Sequence, residues 1–258
     1  MDWKKESEMF NQTAEYYDQF RPSYPAEIIN AYIKQANLKA GSKLLEIGAG
    51  SGKATALLAN KGYQIVCVEP GKDLVDLGNR TFSGQSIQFV MSRFEQFSVV
   101  PNEYDSIFAA QSFHWVEQPS GYEKCAYALK EQGYLALIWN MYITYENALD
   151  HDLVSLSDKY GGFADFLTEE ECEIRIQSII HDINSSNLFH EPTIIRSLWK
   201  QTYTADEYYG FALTGNRFVQ KSDEDKQRAY QDIQALAHRY HGKIERPYLC
   251  VMYLAQKC

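Results

Sequence analysis

The stretch LLEIGAGSGKAT, residues 44–55, packs three glycines, a lysine and a carboxylate into one short run, a composition typical of loops that close around a nucleotide. Three ligand chemistries compete for it. A phosphate-cradling P-loop requires G-x-x-x-x-G-K-[ST], but Ile47 stands where its first glycine belongs and Ala54 follows Lys53, so that pattern fails twice. A nicotinamide dinucleotide turn requires G-x-G-x-x-G and meets Lys53 at its last glycine, so it fails once. The third chemistry starts from Glu46, a carboxylate two residues ahead of Gly48, which repels a pyrophosphate and attracts a cation.

A ligand with an adenosine and ribose, and with a sulfonium and an ammonium in place of phosphates, meets both demands. S-adenosylmethionine is such a ligand. Gly48, Ala49 and Gly50 then form the turn that admits it. Glu69, followed by Pro70, ends the next apolar run about twenty residues on, where a carboxylate that accepts both ribose hydroxyls is expected. A plain strand-to-helix turn and a solvated acid at a strand end are the competing structural readings of these two features.

The segment EIGAGSG, residues 46–52, matches the E/D-x-G-x-G-x-G motif of the class I S-adenosylmethionine-dependent methyltransferases at every fixed position, and the chain resembles that family. Gln111, Phe113, His114 and Trp115 resemble the Q-x-F-H-W stretch of its type 11 subgroup, which includes trans-aconitate methyltransferase. FNQTAEYYDQFRPSYP, residues 10–25, is similar to the amino-terminal Y-D-x-x-R-P-x-Y-P of the same subgroup. The resemblance implies that Ser92, Arg93 and Phe94 line the adenine, although Phe94 equally suits a core, and that Gln111 contacts the cofactor. It also implies that Tyr16, Tyr17, Arg21 and Tyr24 close over the site, with Arg21 paired to the cofactor carboxylate.

Methyl transfer leaves the protein to bind, orient and exclude water. His114 is the candidate catalytic residue. An unperturbed histidine titrates near neutrality, and three roles stay open for it: a base, a wall or positioning group of the pocket, or a structural residue. Trp115, Trp139 and Arg217 are the candidate substrate residues, with Arg217 as a clamp for an acidic acceptor. Asn140, Tyr142 and Trp199 are conspicuous nearby in sequence, and each aromatic equally suits packing.

These residues need a scaffold. AEIINAYIKQANL carries an apolar helical stripe that stops near Gly41; KLLEIGAG, YQIVCVEP, IQFVMSRF and YDSIFAAQSFHWV read as four strands, and YLALIWN as a fifth entering near Gly133. KATALLANKG, GKDLVDLGNRTF and SGYEKCAYALKEQG read as helices between them. This alternation, with nearly continuous apolar strands, predicts an α/β fold with a doubly wound parallel sheet covered on both faces. Residues 141 to about 190 read as mostly helical, TIIRSLWKQTYT and PYLCVMYLAQK as two late strands of the same sheet, and SDEDKQRAYQDIQALAHRY as an amphipathic helix. The family resemblance implies a Rossmann-like, mostly parallel seven-stranded sheet with its last strand antiparallel. A single domain over 1–258 is expected, with 1–25 as a lid segment and 141–190 as a helical cap.

At 258 residues and 45% hydrophobic content, a substantial core is within reach. A net charge of −9 with no basic cluster argues against a nucleic-acid partner. Five scattered cysteines with no C-x-x-C pair argue against a disulfide framework or a zinc site, and with the lack of a targeting or membrane-length apolar run they predict a cytoplasmic location with no metal and no membrane partner. The expected partner is a small-molecule methyl acceptor, with a carboxylate or hydroxyl oxygen favoured, and the expected state is a monomer or homodimer. The alternative is a non-catalytic S-adenosylmethionine-binding sensor or regulatory protein.

Overall fold

The computed structural model describes residues 19–258. The chain divides into two compact units. One comprises Ser23–Asn140, Glu173–Ser197 and Cys250–Cys258; the other comprises Met141–Cys172 and Leu198–Leu249, together with the described residues up to Pro22.

Seven strands form one sheet in the order β3-β2-β1-β4-β5-β7-β6. In the first unit α1 (Ala26–Gln35) leads into β1 (Lys43–Ile47), α2 (Lys53–Leu58), β2 (Gln64–Glu69), α3 (Lys72–Thr81), β3 (Ile87–Met91), β4 (Tyr104–Ala110), α4 (Ser120–Ala128) and β5 (Leu129–Met141). The pairs β1/β2, β2/β3, β1/β4 and β4/β5 are all parallel. Leu44, Leu45 and Ile47 of β1 are buried, and so are Ile65, Cys67 and Val68 of β2, because crossover helices cover both faces. Tyr32 of α1 is fully buried and donates its hydroxyl to Ser106 Oγ on β4 at 2.9 Å, which ties helix to sheet without an orphaned polar atom.

β6 (Thr193–Tyr203) and β7 (Ile244–Gln256) complete the sheet. The end of β7 meets the start of β5, with Lys257 N–H donating to Gly133 O at 2.9 Å, and it meets the start of β6 through the antiparallel bridge Phe189–Lys257. The last strand therefore runs against its neighbours, and the sheet is mixed.

Three details depart from the sequence reading. β5 begins at Leu129 rather than near Gly133: Leu129 pairs with Tyr104, Lys130 Nζ sits 2.7 Å from Asp105 Oδ1, and Gln132 takes a positive φ of 62° where the register shifts. Alanine- and lysine-rich sequence favours a helix here, but pairing with β4 overrides it. β4 stops at Ala110, and Phe113–Trp115 form a 3-10 turn instead of more strand. Pro247 lies within β7 rather than at its start.

In the second unit, α5 (Ala148–Lys159), α7 (Ala205–Leu213), α8 (Asn216–Val219) and α9 (Asp223–Arg239) surround an aromatic core that includes Phe163, Tyr203, Tyr208, Phe211, Phe218 and Tyr248. α6 (Glu169–Ser185) contributes most of its length to the first unit. Side-chain caps fix three of these helices: Asn147 on α5, the Thr204–Glu207 capping box on α7 and Ser222 on α9. At the centre of this unit Arg246, 1% exposed, pairs with buried Asp150 at 3.2 Å and lies 4.5 Å over the Phe166 ring.

Candidate functional site

In the strand order 3-2-1-4-5 the chain winds outward from β1 one way through β2 and β3, then the other way through β4 and β5. Ligands of open α/β sheets sit at such a reversal, outside the carboxyl ends of the strands. The glycine turn, the end of β2, the segment after β3 and the turn after β4 all reach this point, and all belong to the first unit.

The turn is pinned to β2, because Val68 O accepts from Gly48 N–H at 2.8 Å and from Ala49 N–H at 3.2 Å. Gly48, Gly50 and Gly52 all have positive φ, and a Cβ on Gly48 would lie 2.5 Å from Ser112 Cβ. Only glycine permits both that backbone and that approach. Ser112 in turn donates its hydroxyl to Ile47 O, which joins β4 to β1 above the turn. Ser51 Oγ, in a residue 4% exposed, makes no hydrogen bond with the described protein atoms, and so remains available to a ligand.

Two acids flank the turn in different surroundings. Glu46 is 1% exposed and accepts from the Thr55 hydroxyl, with the Cys67 thiol 3.9 Å away. Burial pushes its carboxyl up to about 8, against the hydrogen bond from Thr55. Glu69 accepts from Gly50 N–H through Oε2 and from Gly71 N–H through Oε1, each at 2.9 Å. Burial raises its pKa too, and these two amides oppose the rise. Each Glu69 oxygen keeps a second lone pair, and the two amides hold those lone pairs in a fixed direction.

After β3, Ser92 N–H donates to Glu69 O at 3.1 Å, Arg93 pairs with Glu95 at 3.5 Å, and Phe94 is buried with Lys124 Nζ 5.1 Å over its ring. Pro70 is exposed. After β4, Gln111 adopts a positive φ of 59°, and its side chain donates to Asn140 O at 2.9 Å. Such a backbone in a non-glycine residue persists only where its surroundings hold it. Asn140 spends its own amide on Ser23 O at 2.8 Å, one residue before Tyr24.

The 3-10 turn then presents His114 and Trp115. Their rings are 4.9 Å apart, and Trp139 of β5 donates its indole N–H to His114 Nδ1 at 3.4 Å. Partial desolvation by neighbouring protein and the positive charge of Arg175 lower the pKa of His114, although its side chain still reaches solvent.

The first unit thus gathers Glu46, Gly48, Ala49, Gly50, Glu69, Pro70, Ser92, Arg93, Phe94, Gln111, His114, Trp115 and Trp139. Arg21 and Arg217 belong to the second unit, where Arg21 donates to Tyr142 Oη at 2.7 Å and to Thr214 O at 3.0 Å, and Arg217 is exposed beside Gly162. Tyr142 and Trp199 also belong there, each against the Tyr248 ring. Tyr16 and Tyr17 lie outside the described residues.

Sequence reasoning passed over Ser51, Thr55, Ser112 and Arg175. Ser51 occupies a variable place in the motif, so its chemistry was open to view, whereas Arg175 reaches His114 only through the tertiary fold. Among the described residues there is no cluster suited to a metal ion and no helix long and apolar enough to cross a membrane.

Residues 45–137 match the family described as a methyltransferase domain. An uncharacterised methyltransferase of Mycobacterium tuberculosis (strain H37Rv) is 30% identical over 131 residues, 51% of each chain. One from Schizosaccharomyces pombe is 30% identical over 129 residues, 48% of this chain and 49% of its own. The match therefore spans about half the length of these curated relatives. Among solved structures, the YcgJ protein of Bacillus subtilis has a TM-score of 0.55 over 90% of this chain and 99% of its own, at 14% identity. A phosphoethanolamine N-methyltransferase of Haemonchus contortus, solved with S-adenosylhomocysteine, has a TM-score of 0.55 over 96% of this chain and 57% of its own, at 11% identity. At such identities the structural likeness is one of fold.

Proposed function

We propose that this chain, whose residues 45–137 match the methyltransferase-domain family, is an S-adenosylmethionine-dependent methyltransferase acting on a carboxylate or hydroxyl oxygen of a small molecule. The observation that carries the reading is Glu69, whose two oxygens are aimed by the amides of Gly50 and Gly71 beside the glycine turn. A bidentate acceptor held at the end of β2 suits the two hydroxyls of a ribose. Ser51 Oγ, without a hydrogen-bond partner among the described residues, adds a polar atom that a bound ligand would satisfy. Glu46, enclosed by Thr55 and Cys67 and raised by burial to about 8, would give up its proton as a positively charged ligand arrives. Bound here, S-adenosylmethionine would supply an electrophilic methyl carbon on a sulfonium.

The chain's own residues then do three things. Gly48, Ala49 and Gly50 leave room for the ligand, Glu69 orients the ribose, and Ser92, Arg93, Phe94 and Gln111 border the adenosine. His114, Trp115 and Trp139 face the acceptor and wall it from water, and Arg217 assists with an acidic acceptor. Arg21 and Tyr16 remain the candidate lid residues, and 141–190 the candidate cap. Fixing the reacting atoms about 3 to 3.5 Å apart accounts for roughly 7–11 kcal/mol of such barriers.

Isothermal titration with S-adenosylmethionine and S-adenosylhomocysteine, beside a screen of acceptors with tritiated methyl donor, tests this. Saturable binding of both ligands and label transfer to an acceptor are expected. Binding of NADH in preference to either adenosyl ligand would overturn the assignment, and tight binding with no transfer to any acceptor would point to a sensor instead.

A further inference from the structure

We propose that His114 serves the acceptor as a fixed hydrogen-bond donor through Nε2–H rather than as a base, and that the site therefore takes an oxygen that arrives deprotonated, as a carboxylate does. The geometry begins with Trp139, whose indole ring packs edge-on against buried Tyr253 at 5.7 Å. Its Nε1 is a donor only, and it points at His114 Nδ1 at 3.4 Å. Nδ1 must therefore carry the lone pair. A neutral imidazole holds its single proton on the other nitrogen, so Nε2 has a hydrogen to give and no lone pair with which to take one. The Trp115 ring lies against the same imidazole, tilted by 42° with centroids 4.9 Å apart.

A doubly protonated ring is disfavoured as well. It would set Nδ1–H against the Trp139 N–H, and partial desolvation by neighbouring protein and the positive charge of Arg175 act in the same direction, although the ring still reaches solvent. Among the described residues, Arg175 is the charged group whose field shifts His114.

A carboxylate oxygen supplies its own lone pair to the new O–CH3 bond while the electrons of the broken C–S bond stay on sulfur. Anion and sulfonium thus give a neutral ester and a neutral thioether, and no proton has to leave. A hydroxyl acceptor would have to shed one to a base that His114, in this tautomer, does not provide. His114 is thus a positioning residue. The acceptor class rests on the methyltransferase reading, while the tautomer stands independently of it.

Nitrogen-15 NMR of the full chain at pH 7, with His114 assigned by the signals lost in H114Q, reads the tautomer directly. Expected are a protonated Nε2, an unprotonated Nδ1, and a weaker preference in W139F, which falls toward the modest Nε2–H excess of an unconstrained histidine. A proton on Nδ1, an imidazolium ring at pH 7, or a preference unchanged in W139F would overturn the proposal. The acceptor class is read from product made with tritiated methyl donor and a small-molecule extract. Label released as methanol by mild alkali marks esters and supports the proposal, and alkali-stable label overturns it. Failure to bind either adenosyl ligand would remove the functional reading and leave the NMR result to decide the tautomer.

Discussion

The amide of Gly50 donates to Oε2 of Glu69 at 2.9 Å, so the glycine turn and the end of β2 aim one carboxylate between them. Its other oxygen is held in the same way by Gly71. Glu69→Gln preserves shape but turns an amide NH2 toward one of these N–H donors. Both Glu69→Gln and Glu69→Ala are expected to weaken S-adenosylhomocysteine by at least about tenfold, because a charge-assisted hydrogen bond contributes roughly 1.5–3 kcal/mol. Isothermal titration reads the loss, and near-normal affinity in Glu69→Gln would show that the ribose is bound elsewhere.

Glu46 links folding to pH. Its carboxyl is raised from about 4.5 to about 8 by burial, so the folded chain keeps a proton there that the unfolded chain releases. The resulting stability is fully present below about pH 4.5 and is lost as pH rises through about 8. On the order of a few kcal/mol is involved, at 1.36 kcal/mol per pKa unit. Glu46→Gln cannot ionise. Its midpoint in urea is expected to overtake that of the wild type between pH 7 and 9.

The same proton marks arrival of a cation. A positively charged ligand beside Glu46 lowers its pKa, so binding near pH 7 is expected to release up to about one proton. The calorimetric enthalpy of S-adenosylmethionine binding then differs between Tris and phosphate buffers in proportion to their ionisation enthalpies. The difference is expected to vanish in Glu46→Gln.

Gly48→Ala combines a positive φ of 65° with a Cβ only 2.5 Å from Ser112 Cβ. A loss of about 2–4 kcal/mol is expected from backbone and overlap together. Ser112→Gly relieves the overlap alone, so a double-mutant cycle by chemical denaturation should show recovery of part of the loss.

In the second unit, Arg246→Ala removes one partner of a buried ion pair, and is expected to cost about 3–5 kcal/mol. Tyr208→Phe acts oppositely. The Tyr208 hydroxyl is buried without a hydrogen-bond partner among the described residues, and removing an unsatisfied polar atom is expected to leave stability equal or higher. Thermal unfolding of the two variants distinguishes these directions.

Strand composition made the sheet legible: KLLEI, QIVCVE and YDSIFAA are apolar runs flanked by glycine or acid, which a parallel strand buried on both faces requires. The EIGAGSG spacing made the turn legible for the same reason, since close approach to Ser112 admits no side chain. What stayed hidden depends on partners remote in sequence. The early start of β5 is decided by Tyr104 and Asp105 across the ladder, which local helix propensity cannot register. The state of Glu46 was hidden too: its place in the motif suggested an open charge, but Thr55 and Cys67 enclose it. The tautomer of His114 depends on Trp139 one strand away.

The chain returns to each compact unit after leaving it, and residues 250–258 complete the one that holds the glycine turn. No single proteolytic cut can therefore release either unit as an unbroken fragment. The unit that holds the glycine turn stays unfinished until residues 250–258 have been made, so a stop codon at Cys250 is expected to unsettle a turn whose motif was translated some two hundred residues earlier.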